Sequence, residues 1–191
     1  MKIILASNSP RRKELLGGLG VDFEVKVISG VDESYPETLP AKEVAEYIAA
    51  EKASAYNVGK AELLITADTV VIVGKDILGK PKDVADACRM LRELSGRTHQ
   101  VVTGVCLTTQ EEQRRFSVST DVTFKQLSDE EIDYYIREHR PFDKAGAYGI
   151  QEWIGYIGVT ALNGSYYNVM GFPVQRVYEE LTGHFGLKIA K

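Results

Sequence analysis

A chain of 191 residues, 44% of them hydrophobic, is long enough to bury a core, either as one compact domain or as two small lobes. Its net charge of -4 gives no general attraction to nucleic-acid polymers or acidic membranes, so an anionic ligand needs a local cluster of cations. The first residues, MKIILAS, form too short a run for a signal peptide, and no later run approaches the roughly 18 apolar residues of a membrane span. We therefore expect a cytoplasmic protein that contacts neither membranes nor nucleic-acid polymers.

The two cysteines do not form a CxxC pair. Cys88 lies in a helix-like stretch and Cys106 in an apolar strand-like run, and we expect both to be buried thiols in a reducing compartment. The three histidines are too scattered for a zinc site. The chain also lacks the GxSxG, Walker A and GxGxxG motifs, which argues against a serine hydrolase, a P-loop enzyme or a dinucleotide-binding protein.

The first half of the chain reads as alternating strands and helices. Its hydrophobic pattern predicts strands over 2–6, 23–28 and 63–73, and helices from Pro10 to the glycines at 17–20 and over 41–56. The acidic, proline-containing stretch VDESYPETLP is expected to be a loop.

The second half begins with a helical pattern and ends with one. We predict a helix over 82–94, a turn at 95–100, a hairpin of strands 101–108 and 115–124, a helix from Ser128 to about Arg137 with Glu131 in a capping box, and a last helix over 173–181. The glycine-rich section 143–172 is expected to hold short strands and turns. The parts before and after about Lys80 would be lobes of a single domain, 1–191.

The segment SNSPRR places two serine hydroxyls, the free amides of a helix start and two guanidinium groups within six residues. Helix amino termini attract anions, and arginine forks match phosphate oxygens, so Ser7, Ser9, Arg11 and Arg12 suit a polyphosphate. The alternative is an ordinary capped helix with solvated basic residues.

Asp68 lies inside the apolar run LLITADTVVIV, where a carboxylate is costly unless it is paired, bound to a metal or open to a cleft. The pattern favours a catalytic or metal-binding role over a structural carboxylate held by backbone N–H groups. Thr69 would point to the opposite face of a regular strand, so both side chains could contact one ligand only if the strand ends or bulges there.

Glu33 in the acidic loop is a candidate second oxygen ligand for magnesium, although Asp32, Glu37 and Glu43 compete for this role.

Two lysines are further candidates for binding phosphate. Lys52 follows Glu51 in a helix, and its residues alone favour a surface ion pair. Lys80 is fixed between Gly79 and Pro81, in a turn that could direct its ammonium at a phosphate.

Eight segments in order resemble the motifs of the Maf family of nucleoside triphosphate pyrophosphatases: ASNSPRRKELL, VDES, EKA, ADTVV, LGKP, SGRTHQVVTGV, DKAGAYGIQ and GSYYNVMGFPV. The match runs nearly end to end. It implies an α/β fold with a mixed sheet and two lobes around a central cleft, similar to the inosine triphosphate pyrophosphatase fold.

The resemblance also implies roles for single residues. It assigns triphosphate binding to Ser7, Ser9, Arg12, Lys52 and Lys80. Asp68 corresponds to the proton acceptor of the family, and Glu33 to an acidic residue that helps Asp68 to hold the metal.

The chain looks like the dTTP/UTP branch of that family, because Arg11, Thr69 and Gln151 stand at the positions associated with this specificity. A glutamine amide can both donate and accept, which suits the edge of thymine or uracil. In the 7-methyl-GTP branch a bulky aromatic residue typically replaces Arg11.

The resemblance implies hydrolysis of dTTP and UTP to the monophosphate and pyrophosphate with a divalent cation, Mg²⁺ or Mn²⁺, in a role such as nucleotide-pool cleaning. Two alternatives remain open at this point. One is a pyrophosphatase for 7-methyl-GTP or a broad range of modified nucleotides, and the other is a non-catalytic nucleotide-binding regulator of septum formation. A homodimer is compatible with each of these.

Overall fold

The computed structural model describes residues 1–189, which contain a seven-stranded sheet and helices of several lengths. The strands are β1 (Lys2–Leu5), β2 (Phe23–Val25), β3 (Glu62–Val73), β4 (Asp76–Leu78), β5 (Thr98–Thr108), β6 (Gln113–Phe124) and β7 (Val159–Asn163). The helices are α1 (Pro10–Gly18), α2 (Val44–Ser54), α3 (Val84–Leu94), α4 (Asp129–His139), α5 (Trp153–Gly158), α6 (Tyr166–Val169) and α7 (Val174–Glu179). Single 3-10 turns cover Ala41–Glu43 and Ala145–Ala147, and a π-helical turn covers Glu180–His184.

The sheet has the strand order β2-β1-β3-β5-β6-β7, and β4 pairs with β3 outside this path. β1 runs parallel to β2 and β3, whereas β4 is antiparallel to β3 and β7 is antiparallel to β6. This mixed sheet with helices confirms the α/β class and the mixed sheet predicted from the sequence.

The chain forms two compact units, each built from several segments. The first unit contains residues 1–68, 103–118 and the part from 171 onward, and the second contains residues 69–102 and 119–170. Three of the four boundaries lie inside β3, β5 and β6 and the fourth lies between α6 and α7, so none of them is near Lys80. Sequence patterning could not show this, because long strands continue through the boundaries without any change in composition.

In the first unit, alternate residues of the strands supply two separate cores. Ile3, Leu5 and the odd-numbered residues of β3 from Leu63 to Ala67 pack with Leu16 of α1 and Val177 of α7. Ile4 and Leu64 point to the other face and pack against the alanines of α2, at positions 49, 50 and 53. The twofold alternation of the strands therefore places α2 on the even-numbered face of β3.

Two contacts fix α2 on that face. A Cβ on Gly104 of β5 would overlap the backbone of Ala45 and Glu46, so only glycine lets the helix lie this close. Thr66 of β3 donates its hydroxyl proton to the carbonyl oxygen of Ala49 at 2.6 Å. Gly104 in the VTGV motif therefore has a structural role: it lets helix α2 pack directly on the sheet.

The second unit has a core of its own, in which the ends of β3 and β6 pack with α3, α4 and α5. A histidine is buried in it. His99 of β5 lies edge-on to the rings of Phe124 and Tyr148, and its Nε2 is 2.6 Å from the Tyr148 hydroxyl oxygen. Burial lowers the pKa of His99 to about 4.

Several predicted boundaries were wrong. β2 ends at Val25 rather than at residue 28, because its partner β1 ends at Leu5. β5 begins at Thr98, inside the predicted turn. The section 143–172 contains the short helices α5 and α6 besides the strand β7.

Two local predictions had opposite outcomes. The capping box of Ser128 and Glu131 is confirmed at the start of α4. Cys106 is buried as expected, but Cys88 is only partly buried: it packs against the core of the second unit, and its sulfur lies 3.8 Å from a carboxylate oxygen of Asp133 in α4.

We expect His99 to make the protein acid-sensitive. Its pKa is about 4 in the folded protein and about 6.5 in the unfolded chain, so the unfolded chain binds the extra proton between these values. Stability is therefore lost as the pH falls through this window. Between pH 7 and pH 4.5 the free energy of unfolding should fall by about 2 kcal/mol from this group.

The measurement is urea unfolding of wild type, His99→Gln and His184→Gln at both pH values. His184 is exposed and serves as the control. His184→Gln should retain the acid-induced loss and His99→Gln should lose about 2 kcal/mol of it. An equal loss in wild type and His99→Gln would contradict the explanation.

Candidate active site

Helix α1 has a capped amino terminus, and its N-cap residue belongs to the segment SNSPRR that was predicted to bind phosphate. Ser9 is the N-cap residue, and its Oγ accepts a hydrogen bond from the N–H of Arg12 at 3.4 Å. The Oγ of Ser7 accepts one from the N–H of Ser9 at 3.2 Å. In these bonds both hydroxyls act as acceptors, so each can still donate its proton to an anionic oxygen. The structural and the functional interpretation of SNSPRR are thus compatible.

Arg12 ties this helix start to two other segments of the first unit. Its Nε donates to the carbonyl oxygen of Gly171 at 2.8 Å, and its Nη1 to that of Ala67 at 2.9 Å. Burial lowers the pKa of Arg12, an effect that the charges of Asp68 and Glu33 oppose. Arg12 therefore anchors the backbone beside Asp68, a structural role that the sequence did not indicate.

Asp68 forms an ion pair with Lys52 of α2, and Lys52 also pairs with Glu33. The Lys52 Nζ lies 2.7 Å from Oδ1 of Asp68 and 2.9 Å from Oε1 of Glu33. The side chains of Lys52 and Asp68 are only 15% and 14% exposed, whereas that of Glu33 is 48% exposed. The surface ion pair with Glu51 that its residues favoured is therefore wrong for Lys52, which bridges two carboxylates from different segments.

The pairing of β3 explains why a carboxylate can occupy this strand. Besides its pairing with β5, β3 pairs with β1 along residues 62–65 and with β4 along residues 71–73, and Asp68 and Thr69 lie between these last two stretches. Both are partly exposed in a strand that is otherwise buried after its first residue.

Helix α2 brings Lys52 to the same face of the strand. Thr66 of β3 and Ala49 of α2 are joined by a hydrogen bond. Asp68 lies two residues after Thr66, on the same face of the strand, and Lys52 lies three residues after Ala49, on the same side of the helix.

Asp32, one of the acidic loop residues that compete with Glu33 as a metal ligand, is engaged in a local turn. Asp32 accepts hydrogen bonds from the N–H of Ser34 at 2.9 Å and from its hydroxyl at 2.8 Å, which lowers the pKa of Asp32. This leaves Asp32 engaged within the loop, while the neighbouring Glu33 reaches Lys52.

The residues that could hold a divalent cation are the two carboxylates bridged by Lys52. Among residues 1–189 no group of three or more His, Cys, Asp or Glu side chains could enclose a metal ion. Magnesium, however, commonly takes one or two carboxylates and completes its shell with phosphate oxygens and water. Asp68 and Glu33 fit that requirement, since the oxygens of both converge on one ammonium group.

Of the remaining predicted residues, Arg11 lies in the first turn of α1 and is partly exposed, whereas Thr69, Lys80 and Gln151 belong to the second unit. Thr69 follows Asp68 on β3 and is partly exposed. Lys80 is exposed, and the carbonyl oxygen of the preceding Gly79 accepts a hydrogen bond from the N–H of Gly146 at 3.0 Å. This bond fixes the GKP turn to the start of the AGAYGIQ segment.

Gln151 has a partly buried side chain whose amide packs over Gly149. Its Nε2 would lie 3.1 Å from a Cβ on Gly149, and its Oε1 is buried with no hydrogen-bond partner among the described residues.

Three polar residues near Gln151 were missed by the sequence analysis: Tyr135, Lys144 and Glu152. Lys144 is buried, with a side chain only 10% exposed, and its Nζ pairs with Asp143 at 2.8 Å and Glu152 at 3.2 Å. The motif DKAGAYGIQ contains Lys144, but the residues around it do not indicate that this lysine is buried. Tyr135 and Glu152 lie outside that motif.

Comparisons with known proteins assign the family. A family model described as Maf-like protein matches residues 2–184, which is nearly the whole chain. The chain belongs to the Maf family. A relative of this Maf protein from Phocaeicola vulgatus is 63% identical over 94% of both chains, and one from Flavobacterium psychrophilum is 50% identical over 96% of this chain and 94% of its own. Both relatives are named dTTP/UTP pyrophosphatase, so the family resemblance drawn from the eight motifs is confirmed.

A solved structure supports the fold of this Maf protein. A HAM1 protein from Coxiella burnetii aligns over 96% of this chain and 99% of its own, with a TM-score of 0.50 and 15% identity. At that identity the likeness concerns the fold alone, and it confirms the α/β architecture. Within residues 1–189, no helix is both long and apolar enough to span a bilayer.

Proposed function

We propose that this chain acts as one domain in the cytoplasm and hydrolyses dTTP and UTP to the nucleoside monophosphate and pyrophosphate, which removes these nucleotides from the pool. The observation that carries the proposal is the pairing of Asp68 and Glu33 on Lys52, in a Maf chain whose relatives at 50–63% identity are named dTTP/UTP pyrophosphatase. A carboxylate that is partly exposed in an otherwise buried strand, beside a cation and a second carboxylate, is suited to chemistry on phosphate.

Asp68 is the general base. Its carboxylate accepts a proton from a water molecule, whose oxygen forms a bond to the α-phosphorus while the bond from that phosphorus to the bridging oxygen of pyrophosphate breaks. Negative charge then develops on the leaving pyrophosphate. Arg12, Lys52 and Lys80 stabilise that charge, and the helix start with Ser7 and Ser9 donates hydrogen bonds to phosphate oxygens.

Asp68 and Glu33 would hold the divalent cation, Mg²⁺ or Mn²⁺. Bound there, such an ion polarises water and neutralises phosphate charge. The residues of the chain supply the rest: Lys52 holds both carboxylates in one place, and Asp32 stays engaged with its own turn.

Base selection is assigned to Arg11, Thr69 and Gln151. The buried Oε1 of Gln151 needs a hydrogen-bond donor, and the N3–H of thymine or uracil is one, whereas the corresponding nitrogen of cytosine is an acceptor. This supports a pyrimidine with an imide N–H over cytosine.

The direct test of the function is release of pyrophosphate from a panel of dTTP, UTP, CTP and 7-methyl-GTP, with and without Mn²⁺. Asp68→Asn should lose more than about a hundredfold in kcat, because an amide is no base, and should still bind dTTP. Asp76→Asn, at the exposed first position of β4, is the matched control and should keep wild-type turnover. Unchanged pyrophosphate release by Asp68→Asn would show that Asp68 is not the general base. If wild type released no pyrophosphate from any of these triphosphates, the proposed function would be wrong.

We also expect Lys52 to oppose metal binding in the absence of nucleotide. A cation that takes oxygens of Asp68 and Glu33 lies close to the ammonium that pairs with both carboxylates, so removing that charge should tighten binding of Mn²⁺ alone by at least about tenfold. The measurement is titration of Lys52→Met with Mn²⁺, with Lys42→Met at an exposed position as the control. Affinity in Lys52→Met equal to or weaker than that of wild type would show that the metal does not use this pair of carboxylates.

A further inference from the structure

The loop between α4 and α5 contains a buried ion pair for which hydrolysis gives no reason. Lys144 is buried, and its ammonium lies between the carboxylates of Asp143 and Glu152. Asp143 is 56% exposed, whereas Glu152 is only 21% exposed. Since a buried ion pair is at best weak evidence for stability, the pair between Lys144 and Glu152 invites a functional explanation.

Tyr135 of α4 holds the other oxygen of the same carboxylate. Its hydroxyl donates to Oε2 of Glu152 and accepts a hydrogen bond from the N–H of Gly149 at 2.9 Å. Burial and the nearby Glu152 raise the pKa of Tyr135, so the phenol keeps its proton and remains a donor. One buried hydroxyl therefore fixes both a backbone amide and a carboxylate on either side of Gln151.

The Gln151 amide, Lys144 and Glu152 all lie close to Gly149. The Cδ of Glu152 and the Cε of Lys144 would each lie 3.0 Å from a Cβ on Gly149, and Nε2 of Gln151 would lie 3.1 Å from it. The side chains thus crowd around one point. Because the Oε1 of Gln151 has no hydrogen-bond partner among the described residues, its position depends on this packing.

We propose that Tyr135, Glu152 and Lys144 are positioning residues that hold the Gln151 amide for base recognition and so set the preference for uracil or thymine over cytosine. The inference rests on the proposed function, in which Gln151 contacts the base. A network that only stabilised the fold would affect all substrates alike. Loss of a positioning network lowers the ratio of kcat/KM for UTP to that for CTP, because a displaced Gln151 oxygen no longer distinguishes the N–H of uracil from the lone pair of cytosine.

The test compares kcat and KM of Tyr135→Phe for UTP and CTP with those of wild type. The substitution removes one oxygen and keeps the ring. We expect the KM for UTP to rise about tenfold, kcat to stay within about twofold, and the preference for UTP over CTP in kcat/KM to fall about tenfold. The matched control is Tyr134→Phe, since the neighbouring Tyr134 is exposed and its ring packs on Trp153.

Two more variants keep the test decisive if Tyr135→Phe does not fold. Gly149→Ala adds a methyl group beside the Gln151 amide and leaves the hydroxyl in place, so it should lower the same ratio. Glu152→Gln keeps a side chain that can still accept from Tyr135 and should retain more of the ratio than Glu152→Ala.

The outcomes separate this inference from the function on which it rests. If wild type releases no pyrophosphate from UTP or dTTP, both fail. If wild type is active and the variants keep its ratio of UTP to CTP, or lose kcat equally for both, the positioning role alone is wrong. A lower ratio with kcat retained supports it.

Discussion

The carboxylate of Asp68 inside a buried strand is the constraint on which the candidate site depends. A charge at this place is tolerated only with a partner, and the structure supplies Lys52 at 2.7 Å. Lys52 in turn requires that α2 lie close to the sheet, which the glycine at position 104 allows and the hydrogen bond from Thr66 fixes. Core packing and the candidate site are therefore linked through one helix, whose register decides where the ammonium lies.

Much of this arrangement can be predicted from the sequence, and the reasons are local. Ser9 as a helix cap, the capping box at Ser128 and the apolar β3 each follow from patterns a few residues long. The polar interruption at Asp68 likewise indicates a site without any knowledge of the fold. Relatedness to the Maf family, drawn from eight ordered motifs, is confirmed by the comparison with known proteins.

What could not be predicted depends on contacts between residues distant in sequence. Nothing near Lys52 shows that it meets Asp68, because this requires the packing of α2 on β3. The anchoring of Arg12 to Gly171 spans most of the chain, and the burial of Lys144 is visible only once Glu152 is placed beside it. The division of the chain into two units within β3, β5 and β6 could not be predicted either. The hydrophobic pattern of a strand stays the same where its neighbours in the fold change.

In the proposed reaction, water attacks the α-phosphorus rather than the β- or γ-phosphorus. Hydrolysis of UTP in water enriched in ¹⁸O tests it most directly, with the products separated and weighed by mass spectrometry. We expect one ¹⁸O atom in the UMP and none in the pyrophosphate, because the new bond forms at the α-phosphorus and the bond from that phosphorus to the bridging oxygen breaks. Label in the pyrophosphate, or release of inorganic phosphate and UDP, would contradict it.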